Sequence, residues 1–231
     1  MNRMLIAAVA LAIAGWSLPG SGFAAGKAVK LPAPTQDVHA TAATETAVFA
    51  GGCFWGVQAV FQHTRGVLNA VSGYAGGDQG TARYEQVGSG RTGHAESVQV
   101  TYDPKQVSFG TLLQVYFSVA HDPTTLNRQG PDVGPQYRSA VFYRDQEQKR
   151  VTESYIAQLG AAKVFPARIV TEVRPLTGFY PAEAYHQDYA TLHPGSPYIA
   201  TFDRPKIANL KAMLPQLYRE QPVLVSARPK G

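Results

Sequence analysis

The chain has 231 residues, 45% of them hydrophobic and 16% charged, with a formal net charge of +5 and a single cysteine. That composition belongs to a domain able to bury a sizeable core, and it excludes a highly charged disordered chain. The basicity is modest, with a pI near 9.3, and no basic stripe carries interleaved aromatics, so nucleic-acid binding is not expected.

Met1-Asn2-Arg3 carries a positive charge, and Met4 to Trp16 is almost wholly apolar before Ser17-Leu18-Pro19-Gly20 breaks the run. This is the layout of a signal peptide. The run is too short for a transmembrane helix, which needs about 20 residues, so residues 1–24 are expected to be removed, with Gly22 and Ala24 at the small-residue positions. A periplasmic or secreted product without stable membrane association is expected. Residues 25–45 are Ala, Thr, Pro and Lys with little to bury and read as a flexible leader; 46–219 form one domain and 220–231 a tail.

Within the domain, Ala47 to Ala50 predicts a short buried strand, and Gly51-Gly52 allows a sharp turn into a helix from about Phe54 to His63. Val67 to Tyr74 predicts a second strand, followed by a mobile loop over Ala75 to Gly80. Glu96 to Tyr102 alternates as a half-buried strand that stops at Asp103-Pro104, and Ser108 caps a helix carrying Leu112, Leu113, Tyr116 and Phe117. A strand over Ser139 to Tyr143, a charged helix over Gln146 to Leu159 and a strand over Ile169 to Val173 follow. Helices over Ala182 to Leu192 and Ile207 to Leu214 close the chain, the last packing across the sheet. The order predicts an α+β two-layer sandwich, ferredoxin-like, with a βαββαβ core and additional C-terminal helices.

Cys53 lies in Gly51-Gly52-Cys53-Phe54-Trp55-Gly56, at the predicted start of the first helix. A lone thiol in an exported chain has no intramolecular disulfide partner, so it is intermolecular, buried and inert, or reactive. The helix terminus favours thiolate by only about 0.3–1 kcal/mol, which leaves a thiol of ordinary pKa mostly protonated at neutral pH. Phe54 and Trp55 are adjacent on a helix and point in different directions, so at least one is expected beside the thiol, where an aromatic wall receives a small apolar group or a soft sulfur. No His/Cys pair has metal-ligand spacing, and one thiol is too few for a typical structural zinc, so no metal is expected. The polar stretch from His121-Asp122-Pro123-Thr124 to Ser139 is longer than a simple connector.

The strings Gly51 to Gly56, Tyr84-Glu85-Gln86-Val87, Gly88 to Glu96, His121 to Thr124, Gln136-Tyr137-Arg138-Ser139 and Tyr185-His186-Gln187-Asp188-Tyr189 together, in this order, resemble the peptide methionine sulfoxide reductase A family. The resemblance spans about Val48 to Lys206. It implies that Cys53 is the nucleophile that becomes a sulfenic acid and that Glu96 protonates the sulfoxide oxygen. Tyr84 and Tyr137 would donate hydrogen bonds to that oxygen, with Asp132 on the polar side. Phe54, Trp55 and Gly52 would form the substrate site, supported by His186, Asp188 and Tyr189.

The substrate so implied is methionine-S-sulfoxide, in oxidised proteins or peptides and as the free amino acid. For Glu96 to be an acid at pH 7, burial has to raise its pKa by a couple of units or more. The family commonly carries further cysteines that resolve the sulfenic acid; Gly88 and Pro197-Tyr198-Ile199-Ala200 hold none. Recycling is therefore expected from an external thiol, a thioredoxin-like protein or a small thiol, with no bound cofactor and a monomeric enzyme. A cysteine peroxidase would want an Arg beside the thiol, and a cysteine hydrolase would want a base such as His94, His121 or His186. A third reading is a binding module with Cys53 simply buried.

Overall fold

Side-chain alternation along the first strand sets the layering. The computed structural model describes residues 28–39 and 42–225; the signal peptide expected over 1–24 and the end of the tail lie outside these residues. In chain order the elements are β1 (Glu45–Gly51), α1 (Phe54–Gln62), β2 (Val67–Ala75), α2 (Tyr84–Val87), β3 (Ala95–Tyr102), α3 (Phe109–Val115), β4 (Arg128–Gln129) and β5 (Asp132–Val133). They continue as β6 (Ser139–Tyr143), α4 (Gln146–Ala161), β7 (Glu172–Pro175), β8 (Phe179–Pro181), α5 (Tyr189–Leu192) and α6 (Arg204–Met213).

Six strands form one sheet in the order β7-β6-β1-β3-β2-β8, antiparallel except for the β6/β7 pair. Ala47 and Phe49 of β1 face the helices and join Val57, Val60 and Phe61 of α1 with Leu112 and Leu113 of α3 in the main core. Phe49 stacks on Phe61 at 5.0 Å and on Tyr116 at 5.1 Å; burying such a side chain fully contributes about 1.5–3 kcal/mol. Val48 and Ala50 point the other way, with Ala75, Ala95, Ala140 and Phe142, under Leu176 and Phe179. On β3, Val98 and Val100 belong to the helix side, and the two-residue period puts Glu96 on that face too. The fold is mixed α+β, as expected.

Several expectations are corrected. The leader is not loose over 28–39: Leu31 is buried, its carbonyl accepts from Gln114 Nε2 at 2.7 Å, and Pro32 O accepts from Tyr155 Oη at 2.7 Å. Asp37 accepts from Gly110 N at 2.8 Å and from Ser108 Oγ, reinforcing the start of α3, where Ser108 caps as predicted. One buried leucine and a run of side-chain donors on α3 and α4 hold this extended strap, a signal that composition does not carry. The loop after β2 is tied rather than mobile, since His94 accepts from Gly77 N at 3.3 Å and meets Asp78 O at 3.0 Å.

The strand expected over Ile169 to Val173 begins only at Glu172, opposite Ala140, because the Val170 amide donates to Pro123 O outside the sheet. The helix expected over Ala182 to Leu192 is broken into a 3-10 turn (Ala184–His186) and the single turn α5, with Asp188 at φ 58° between them. Long-range bonds override the helical pattern there: Asp188 N donates to Gln58 Oε1 at 2.9 Å and Gln187 Nε2 to Ser72 O at 2.9 Å. The last helix starts earlier, at Arg204, after a π turn (Ile199–Asp203), and packs on α1 and the π turn Tyr116–Ala120 rather than across the sheet.

Candidate active site

Cys53 occupies the N-cap of α1 and is 9% exposed. Gly52 makes the turn with φ 87°, a left-handed conformation that a side chain disfavours, and a Cβ there would overlap Gln129 Cβ. The β4/β5 hairpin thus closes directly over the turn that presents the thiol. Gln129 is held in turn: its Oε1 accepts from Asp122 N at 3.0 Å and its Nε2 donates to Thr125 Oγ1 at 2.9 Å.

Glu96 is 4% exposed, and its Oε2 accepts from the backbone N–H of Phe54 at 3.0 Å. An orphan donor of the helix terminus, on the residue after Cys53, is therefore spent on the Glu96 carboxyl. Burial pushes the Glu96 pKa up to about 8, against the Phe54 hydrogen bond and with help from Asp132 and Asp203. Burial likewise pushes the Cys53 thiol well above its usual value, reinforced by Glu96 and Asp203 and opposed by the Trp55 amide and Lys206. The Trp55 N–H favours thiolate without completing a side-chain cap bond. Desolvation outweighs the helix terminus, so thiol and acid are both neutral at pH 7.

Tyr84 and Tyr137 come to the same place. Desolvation pushes each hydroxyl's pKa up, and the groups beside both are Glu96, Asp132 and Cys53. Asp132 is partly buried and accepts a hydrogen bond from Tyr198 Oη. Phe54 is buried and packs on Tyr74 at 5.9 Å and His186 at 5.1 Å. Trp55 stacks on Tyr189 at 3.8 Å and donates from Nε1 to His186 Nδ1 at 3.2 Å, which fixes the indole plane and the imidazole tautomer. His186 and Tyr189 therefore act on Trp55, while Asp188 is buried at the base, accepting from Gln62 Nε2 at 2.6 Å.

Sequence reasoning missed Tyr198, Asp203, Lys206 and Gln129. Asp203 and Lys206 form an i,i+3 ion pair at 3.1 Å, a spacing visible in the sequence but uninformative until α6 is seen against α1. Cys53 borders a cavity of about 30 Å³ lined also by His121, Gln129, Asp132, Tyr198 and Lys206. Clefts of about 690 Å³ beside Arg138 and about 470 Å³ beside Phe165 are larger but lie away from the thiol.

Arg138 and His121 have other partners, although His121 borders the same cavity as Cys53. Arg138 donates to Gly93 O at 2.9 Å and pairs with Glu172 at 3.4 Å. His121 meets Ser139 Oγ at 2.7 Å, and burial pushes its pKa down to about 3. Among the described residues, no group of three or more His, Cys, Asp or Glu side chains is arranged to hold a metal, and no helix is long and apolar enough to cross a membrane.

Comparison with known proteins agrees with this geometry. The family model for peptide methionine sulfoxide reductase matches residues 45–216. Peptide methionine sulfoxide reductase MsrA 2 of Mesorhizobium japonicum is 61% identical over 190 residues, covering 82% of this chain and 97% of its own. The enzyme named MsrA from Thermus thermophilus is 49% identical over 175 residues, 76% of this chain and 98% of its own. Methionine sulfoxide reductase A of Corynebacterium diphtheriae superposes with a TM-score of 0.57 at 37% identity, covering 73% of this chain and 89% of its own.

Proposed function

The chain belongs to the peptide methionine sulfoxide reductase family, and from that premise we infer that it is a repair enzyme that reduces methionine-S-sulfoxide, in oxidised proteins and peptides and as the free amino acid. The observation that carries this is the pairing of a buried thiol with a buried acid whose pKa is pushed up to about 8, joined through the Phe54 amide. A sulfoxide sulfur is an adequate electrophile only when its oxygen is protonated or strongly hydrogen-bonded, so nucleophile and acid have to flank the same S–O bond.

In the reaction Glu96 gives its proton to the sulfoxide oxygen as the Cys53 sulfur bonds to the substrate sulfur, with Tyr84 and Tyr137 donating to that oxygen. The substrate S–O bond and the new S–S bond then break as the protonated oxygen bonds to the Cys53 sulfur, which leaves methionine and a Cys53 sulfenic acid, the first reversible rung of cysteine oxidation. The thiol's proton restores Glu96. Phe54 and Trp55 receive the methyl group, and Asp132 with Tyr198 supplies the polar wall. With Cys53 the single cysteine of the chain, two external thiol groups, from a thioredoxin-like protein or a small molecule, return the sulfenic acid to thiol and leave as a disulfide, with water released.

The central connectivity β1-α1-β2-β3-α3-β6, with sheet order β6-β1-β3-β2, supports the ferredoxin-like reading of the fold. The charged start and apolar run of residues 1–24 support a periplasmic or secreted product. The test is product and epimer analysis with racemic methionine sulfoxide and excess small thiol. Consumption of the S epimer alone, with equimolar methionine and a trappable sulfenic acid on Cys53 when thiol is withheld, is the expected result. Peroxide consumption or ester cleavage faster than sulfoxide reduction would overturn it.

A further inference from the structure

Asp203 is fully buried, yet only half of its carboxylate is matched: Oδ1 accepts from Lys206 Nζ at 3.1 Å, and Oδ2 is buried without a hydrogen-bond partner. Buried polar atoms are ordinarily paired, so an orphan oxygen asks for a functional account. The pair lies against the first turn of α1. A Cβ built on Gly56 would stand 2.8 Å from Lys206 Nζ and would overlap Asp203 Oδ1, so the glycine that ends the Cys-Phe-Trp-Gly string is the residue that admits the ion pair. Residue 56 is three positions beyond Cys53, and side chains three apart at a helix face are neighbours about 5–6 Å apart. Lys206 also shares the small cavity with Cys53.

We propose that the Asp203–Lys206 pair is the charge partner of the Cys53 sulfur and serves the regeneration half of the cycle; the second clause rests on the reductase reading. Glu96, Asp132, His121 and the hydroxyls of Tyr84, Tyr137 and Tyr198 are the other titratable groups around Cys53. Of these and the pair, Lys206 alone brings a positive charge at neutral pH, since His121 is held neutral by burial. At rest Asp203 outweighs Lys206 at the sulfur and the thiol stays protonated.

After sulfoxide reduction, an external thiolate attacks the sulfur of the Cys53 sulfenic acid. The S–S bond forms as the S–O bond breaks, and the oxygen leaves as water with a proton from the Lys206 ammonium. Lys206 recovers its proton from solvent, where the external thiol lost one. A second external thiolate then attacks the outer sulfur of the mixed disulfide. Cys53 departs as a thiolate beside Lys206 and is reprotonated. Two external thiols are oxidised to a disulfide and the sulfenic acid is reduced by two electrons.

The test uses iodoacetamide labelling of Cys53 from neutral to alkaline pH in substrate-free wild type, Lys206→Met, Lys206→Arg and Asp203→Asn. A nearby opposite charge favours the ionised form of a thiol, so Lys206→Met is expected to move the labelling midpoint up. Asp203→Asn should move it down, and Lys206→Arg should hold it near wild type. Decay of the Cys53 sulfenic acid in dithiothreitol is expected to slow at least about tenfold in Lys206→Met, while one equivalent of methionine still forms in the first turnover. A purely structural pair would move both midpoints the same way or not at all, and either result overturns the proposal, as does sulfenic acid decay at the wild-type rate. Absence of methionine in wild type would instead strike the reductase reading and leave the labelling result to judge the pair.

Discussion

Replacing Glu96 by Gln should make the protein a worse enzyme and, above mildly acidic pH, a more stable one. The acid is held protonated by burial, with its pKa raised from 4.5 to about 8. In the unfolded chain it ionises near the lower value. Between the two values the folded state therefore binds one more proton than the unfolded state, and stability falls as pH rises, by about 1.4 kcal/mol for each pH unit. Across the whole interval the cost approaches about 5 kcal/mol as an upper bound; between about pH 5 and about pH 7.5 it is about 3 kcal/mol.

Gln keeps the acceptor for Phe54 N–H and carries no titration, so the variant escapes this slope. The His121 contribution, whose folded pKa near 3 makes stability fall with falling pH, is common to both proteins and cancels in the comparison. The assay is urea unfolding of wild type and Glu96→Gln at the two pH values. The expected result is that wild type loses about 3 kcal/mol relative to the variant on going from the lower to the higher pH. In single-turnover kinetics the same variant should form methionine about 100-fold or more slowly, the scale of a lost general acid. Wild-type first-turnover rate should decline above about pH 8 as the acid ionises. Parallel pH dependence of stability in the two proteins would refute the buried neutral acid.

Three further outcomes are expected. Gly52→Ala forces a side chain into a φ of 87° and onto Gln129; it should destabilise by about 1–3 kcal/mol, and an unchanged thermal midpoint would count against the turn as described. Trp55→Ala removes the face stacked on Tyr189 at 3.8 Å and should raise KM about tenfold with kcat changed by less than about threefold, the pattern of lost uniform binding; a kcat collapse at unchanged KM would contradict this. Asp37→Ala, which strips an acceptor from Gly110 N and Ser108 Oγ, should cost about 1 kcal/mol in urea unfolding, whereas a truly flexible leader would show no change.

The sequence by itself carried the turn that presents Cys53 at a helix start, the chain order of the central elements and the aromatic pair after the thiol, because these rest on local signals: alternation in β1 and β3, a glycine turn and a Ser108 cap. The family resemblance added the requirement that Glu96, if it is the acid, be neutral at pH 7. What the sequence did not carry were arrangements made by residues far apart in the chain. The strap at 28–39 depends on acceptors offered to α3 and α4, the break at Asp188 on Gln58 and Gln62, and the orientation of Trp55 on His186 and Tyr189. Burial decided the protonation of Cys53 and Glu96, and burial is a property of the packed whole. The same reason applies to Asp203 and Lys206: their charges matter because α6 folds back against the first turn of α1, where Gly56 leaves room for them.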